Sequence, residues 1–325
     1  MEVLRRRSAR RPAAWFSQPK GLTILFLTEM WEKFSFFGMR ALQIYYMTKE
    51  LHYTQAFSSI VFGAYAAGVY LTPIFGYILG GKHLPVEASR AGDRHAPVAE
   101  GDGGGSIRML VAVALAVMLF RVAYEQTGNT FAVWADTAVE RQAFGLTIPV
   151  TWFQSLNPMF VFLLSPILVR VWNRRAARGR ATPALERMSK GAIGVGAAYA
   201  MLAALIVVGG AGGYAITWLW LIAFFGIFTL AELYILPVGL GLFASLAPKR
   251  FAATTIAAWF FCSFTGNLLS GFAGALWELV TPQGFVMLMA GICTVAGLAL
   301  YAIHRAHRSS AVASPATAPP VDKQA

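Results

Sequence analysis

The chain is built from successive apolar runs of about 20 residues or more, each long enough to cross a bilayer as a helix, separated by short polar or basic segments. Hydropathy places eight such spans, over residues 22–48, 57–81, 108–135, 147–172, 190–209, 214–243, 252–277 and 283–304. Only Gly209-Gly210-Ala211-Gly212-Gly213 divides the fifth from the sixth, and it reads as a tight hairpin turn because glycine has no steric penalty at positive φ. The expected fold class is therefore an all-α polytopic membrane protein. Composition agrees: 57% of the 325 residues are hydrophobic and only 13% charged, too little charge to cover a soluble domain.

A net charge of +12 could signal nucleic-acid binding, but the distribution of the basic residues argues otherwise. Arg5, Arg6, Arg7, Arg10, Arg11 and Lys20 precede the first span, which puts the N-terminus in the cytoplasm. Alternation from there makes 22 of the 27 Lys and Arg cytoplasmic; Lys49 and Arg141 are external, and Lys33, Arg40 and Arg121 lie within spans. The basic charge is thus an orientation signal, no nucleic-acid partner is implied, and both termini are expected inside. The charged leader runs straight into a span long enough to stay, which argues against a cleaved signal peptide. Cys262 and Cys293 sit in apolar runs and suggest neither a disulfide nor a metal site. The organisation read from these patterns is a basic N-terminus (1–21), a two-span unit (22–81), a flexible Gly-rich cytoplasmic linker (82–107), a six-span unit (108–305) and a disordered tail (306–325).

The first span carries Glu29, Glu32, Lys33 and Arg40. At 100° per residue, Glu29, Lys33 and Arg40 fall within roughly 40° of one another, with Glu32 about 60° to the side. Charge at membrane depth is costly and rarely faces lipid, so this face fits a water-filled cavity for protons or a charged solute. Further polar groups follow: Arg121 and Glu125 at i, i+4 in the third span, Gln154 and Asn157 in the fourth, Glu232 alone in the sixth, and Trp259 and Asn267 in the seventh. Blander roles stand beside the functional ones. Arg121 and Glu125 can form a static tie, the two asparagines can be interhelical glue, and Trp259 can be core or lipid-facing. Gly266, Ser270 and Gly274 recur every four residues and read as a packing face. Pro149, Pro158 and Pro166, and Pro237 near two glycines, permit bending. There is no HExxH motif and no acid, base and nucleophile set within one span, so no enzyme is expected.

The segment Glu-Met-Trp-Glu-Lys-Phe-Ser-Phe-Phe-Gly-Met-Arg (29–40) resembles the first-helix signature of the proton-dependent oligopeptide transporters of the major facilitator superfamily. Residues 64–73 are similar to that family's second helix, and 124–136, 152–158, 232–240 and 247–251 to its seventh, eighth and tenth helices and the loop that follows. Between 71–77 and 80–85 the chain passes from a family second helix into the end of a sixth, so helices three to six look absent. Lys33 stands where the family has Arg, and Phe36 and Phe37 where it has Tyr.

The resemblance implies a partial major facilitator fold, with two helices of the first bundle and all six of the second. It also implies a proton-coupled symporter of di- and tripeptides in a cell membrane, the bacterial inner membrane, with protons as coupling ion and no cofactor. By position, Glu29, Glu32 and Lys33 would serve proton coupling, and Lys33 and Arg40 would lie near the peptide carboxylate. Asn157 and Glu232 would take the ammonium, Trp259 would wall the pocket, and Arg40 with Glu125 would form an external gate. The competing reading is an internally deleted remnant that inserts but cannot alternate. Self-association or a partner could supply the missing helices.

Overall fold

A computed structural model of the chain describes residues 20–80, 103–143, 145–212, 215–246 and 252–313. The order begins with α1 (Lys20–Tyr45), closed by a π-helical turn Tyr46–Glu50, then α2 (Gln55–Gly68) and α3 (Leu71–Gly80). Next come α4 (Gly103–Tyr124), a 3-10 turn Glu125–Gly128, α5 (Thr130–Ala138), α6 (Val150–Gln154), α7 (Leu156–Ala177) and α8 (Ala184–Gly212). The last four helices are α9 (Trp218–Glu232), α10 (Leu236–Leu246), α11 (Ala252–Ala275) and α12 (Pro282–Ala313). Among the described residues, strand is confined to two short pairings outside the spans: β1 (Val139–Glu140) parallel to β4 (Ile216–Thr217), and β2 (Gln142–Ala143) antiparallel to β3 (Leu146–Thr147).

Among the described residues, seven stretches are long and apolar enough to cross a membrane: Gln55–Phe75, Ile107–Ala138, Val150–Ala177, Ala184–Gly210, Trp218–Ser245, Thr255–Glu278 and Pro282–Arg308. They coincide with seven of the eight expected spans, and the protein is a multi-pass membrane protein. The eighth is α1. With 26 residues it is about 39 Å long at 1.5 Å per residue, sufficient to span, but its ionisable groups lower its hydropathy below that of the others.

The core lies where α4, α8, α9 and α12 meet. Phe120, Tyr199, Phe224 and Phe228 are fully buried there, the Phe131 and Phe224 rings stack with centroids 4.7 Å apart, and the Tyr199 hydroxyl donates to Ala123 O at 2.7 Å. Helix α11 joins this core to α2. The two helices meet through glycines, since a Cβ on Gly63 would lie 2.5 Å from Gly271 Cα. Asn267 Nδ2 donates to Ala66 O at 3.0 Å across the same contact. The expected small-residue face is present but serves two neighbours: Gly274 abuts Ser59 of α2, whereas Gly266 abuts Arg121 and Met118 of α4.

Three boundaries differ from expectation. Residues 209–212 do not turn, because α8 remains helical to Gly212, and Gly213 lies outside the described residues; helical backbone keeps its polar groups satisfied at membrane depth even where glycine weakens propensity. Helix α12 continues to Ala313, eight residues into the segment expected to be tail, and α4 begins at Gly103, inside the expected linker. A helix needs a preceding turn to satisfy its first apolar residues, and that turn is taken from the flank. Residues 1–19, 81–102 and 314–325 lie outside the described residues, so the basic N-terminus, most of the linker and most of the tail are not addressed.

Candidate substrate cleft and gate

Three of the polar residues singled out above sit where helices break. Glu125 opens the 3-10 turn between α4 and α5, Asn157 starts α7 just after the break at Ser155, and Glu232 ends α9 before the turn at Leu233–Ile235. Sequence explains two of these breaks. Pro158 has no N–H to give to Gln154 O, and Pro237 has none to give to Leu233 O. Interrupted helices at membrane depth are tolerated where they line a cavity or are buried in protein, and their free backbone groups make polar sites.

Arg40 and Glu125, expected as a pair, meet. Arg40 Nη2 donates to Glu125 Oε2 in a direct ion pair, with side chains only 6% and 2% exposed. Arg121 Nη1 donates to the other oxygen of the same carboxylate at 3.0 Å and to the Tyr70 hydroxyl at 3.1 Å. One carboxylate therefore serves two buried guanidinium groups. Phe36 and Phe37 take up the arginine in a different way from a hydrogen bond: Arg40 Cζ lies 5.3 Å and 5.8 Å from their ring centroids and 4.8 Å from that of Phe62, in cation–π contact. Beyond the gate, at the same end of α1, Lys49 pairs with Asp136, which also accepts from Arg141 Nη2 at 2.7 Å.

The second constellation is a cleft of about 260 Å³ lined by Glu29, Met30, Lys33 and Phe37 from α1, by Asn157, Pro158, Val161 and Phe162 from α7, and by Glu232. Glu232 is buried at 7% exposure and accepts from the Tyr124 hydroxyl and from Asn157 Nδ2, each at 2.7 Å. Asn157 Nδ2 also donates to Thr229 Oγ1 at 3.2 Å. Its Oδ1 is buried without a hydrogen-bond partner and is free to accept one. The cleft thus joins an anchored carboxylate and a free acceptor on one wall to Glu29 and an ammonium, Lys33, on the other. A zwitterionic solute matches that pairing of signs.

Several expectations need correcting. The four charges of α1 do not share one buried environment: Arg40 is enclosed, whereas Glu32 and Lys33 are 58% and 52% exposed, 3.7 Å apart. Among the described side chains of α1, those before Arg40 are exposed or half-buried, and the buried ones begin at Arg40. Glu32 is not among the cleft residues, and Arg40 is held by the gate away from them. Trp259 does not wall the cleft. It is buried against Phe243, ring centroids 5.2 Å apart, and over Gly239, where any Cβ would come within 2.4 Å of it. A small residue on α10 accommodates the indole, which helical periodicity on α11 alone does not disclose. Tyr124 and Tyr70 were missed as partners. Their hydroxyls are invisible to an apolar-pattern reading, although Tyr124 directly precedes Glu125.

Broken apolar helices around buried ion pairs and a two-signed cleft are features that recur in membrane transport proteins. The profile of the POT family (PTR2) matches residues 105–287, and the chain belongs to that family. It is 29% identical over 210 residues to the di-/tripeptide transporter of Lactococcus lactis subsp. cremoris, a match covering 63% of this chain and 42% of the relative. It is 33% identical over 170 residues to the peptide transporter YePEPT of Yersinia enterocolitica, covering 51% of this chain and 33% of the relative. The chain thus spans about a third to two-fifths of the length of the curated relatives it matches. Among solved structures, a mutant of a peptide transporter POT superposes with a TM-score of 0.68 at 18% identity, over 90% of this chain and 96% of that one. A POT family transporter in complex with 5-aminolevulinic acid superposes with a TM-score of 0.57 at 19% identity, over 88% of this chain and 54% of that one. The fold is the all-α, multi-pass architecture expected, shared with these POT structures, with seven spans among the described residues and α1 beside them.

Proposed function

We propose that the chain takes part in proton-coupled transport of di- and tripeptides, with the peptide ammonium at Glu232 and Asn157 and its carboxylate towards Lys33. The observation that carries this reading is the cleft itself, in which Glu232, Asn157 and Lys33 line one cavity. A carboxylate already holding two donors in place is preorganised to receive a cation without reorganising. Glu29, on the same wall as Lys33, is the group placed to exchange a proton with a bound peptide, and Arg40 with Glu125 closes the opposite end of α1. The names of the curated relatives, a di-/tripeptide transporter and a peptide transporter, support the substrate class. We place both termini in the cytoplasm on the loop charge, with no cofactor, no enzymatic step and small peptides as ligands.

The test uses the charge of the ligand's amino end. Purified protein in liposomes should bind a free dipeptide at least tenfold more tightly than the N-acetylated dipeptide, and Glu232→Gln should erase that preference. Equal affinity for the two ligands in the wild-type protein refutes the assignment. Uptake driven by an inward proton gradient separates a working symporter from a remnant that binds without accumulating.

A further inference from the structure

The exposed half of α1 sets a physical problem that the described residues do not solve. Glu32 and Lys33 lie at the middle of the 26-residue helix and are each more than half exposed. Trp31, Ile24 and Leu25 beside them are 71%, 66% and 59% exposed. The apolar groups can face lipid, but ionisable groups at the centre of a bilayer face protein or a water-filled cavity. The cleft has the same deficiency: Glu29 and Lys33 form one wall, and both are exposed among the described residues. Both observations ask for protein at one place.

We infer that the covering element is the first helix of a second copy of this chain, related by a two-fold axis along the membrane normal. Such an axis sets α1 beside its counterpart at equal depth and makes the interface self-complementary. Glu32 and Lys33 are adjacent, so at equal depth Glu32 of each copy is offset from Lys33 of the other by about 1.5 Å along the axis. The offset is well within salt-bridge reach, and two reciprocal ion pairs form. A face carrying both signs one residue apart suits its own copy. A partner of a single sign would leave either Glu32 or Lys33 opposed by like charge. The counterpart helix then supplies the missing wall of the cleft, and the peptide site is completed between two copies. This last step rests on the peptide-binding reading above, whereas the dimer does not.

Step counting by single-molecule photobleaching, on fluorophore-labelled protein at low density in phosphatidylethanolamine and phosphatidylglycerol liposomes, reads the association directly. Wild-type protein should be dimeric. Lys33→Glu makes the face wholly acidic, and Glu32→Lys places two adjacent lysines on it. Each should weaken self-association at least tenfold, while a mixture of the two variants should restore two-colour pairs. Protection of Cys262 and Cys293, both buried, from a maleimide reports that each variant remains folded. A wild-type chain that stays monomeric in pure lipid assigns the face to a different protein and overturns the inference. So does a dimer that neither reversal weakens, or a mixture that fails to pair. If the dimer forms as described but shows no preference for the free dipeptide, the peptide reading fails and the interface stands; monomers that show the preference give the converse.

Discussion

Glu125→Gln is the substitution whose cost the structure sets most directly, because one buried carboxylate neutralises two buried guanidinium groups. At the 3.0 Å separation of Arg121 from Glu125, the Coulomb attraction is about 5 kcal/mol at an effective dielectric of 20. Desolvation offsets part of this, and breaking a buried pair by removing one partner costs about 3–5 kcal/mol net. Glu125→Gln leaves Arg40 and Arg121 both charged and close together, so it falls at or above that range. Arg40→Met behaves differently. It removes the excess positive charge and leaves Glu125 with Arg121 as a neutral pair, so its cost should be about 1–2 kcal/mol, from lost packing against Phe36, Phe37 and Phe62. Thermal unfolding in detergent, followed by maleimide reaction at the buried Cys262 and Cys293, measures both. At roughly 2–4 °C per kcal/mol, Glu125→Gln should lower the midpoint by roughly 6–20 °C and Arg40→Met by a few degrees. If Arg40→Met is as damaging as Glu125→Gln, the shared carboxylate is not what holds the two arginines.

Gly63→Ala should destabilise by about 1–3 kcal/mol, because the added methyl meets the Gly271 backbone at 2.5 Å; an unchanged unfolding midpoint would mean that α2 and α11 do not approach so closely. Trp259→Ala should cost about 3–5 kcal/mol in stability yet leave dipeptide affinity within twofold, since the indole packs on Phe243 and Gly239 and not on the cleft; a selective loss of binding would return it to the pocket. Cysteines introduced for Gln142 and Arg178, both exposed in connecting segments, should react with a membrane-impermeant reagent from opposite faces, Gln142 from outside; labelling of both from one side contradicts the topology.

The eight apolar runs determined the class and the order of the helices, because a bilayer accepts only backbone that satisfies itself and the run length measures the crossing. Local chemistry also marked bending near Pro158 and Pro237, and rise and rotation per residue set the azimuths of the charges on the first helix; the pairing of Arg40 with Glu125 came from the family resemblance. These constants describe each helix about its own axis. They do not say which neighbour stands opposite: the i, i+4 spacing showed that Arg121 can reach Glu125, but not that the same carboxylate also takes Arg40, or that Tyr124 reaches Glu232. They also left Trp259 without a destination, which Gly239 supplies from a helix distant in sequence. The charged face of α1 is the clearest division. Its four ionisable groups, and the shared azimuth of Glu29, Lys33 and Arg40, are written in residues 29–40, but burial depends on what packs against each turn, and tertiary structure encloses Arg40 while leaving Glu32 and Lys33 open.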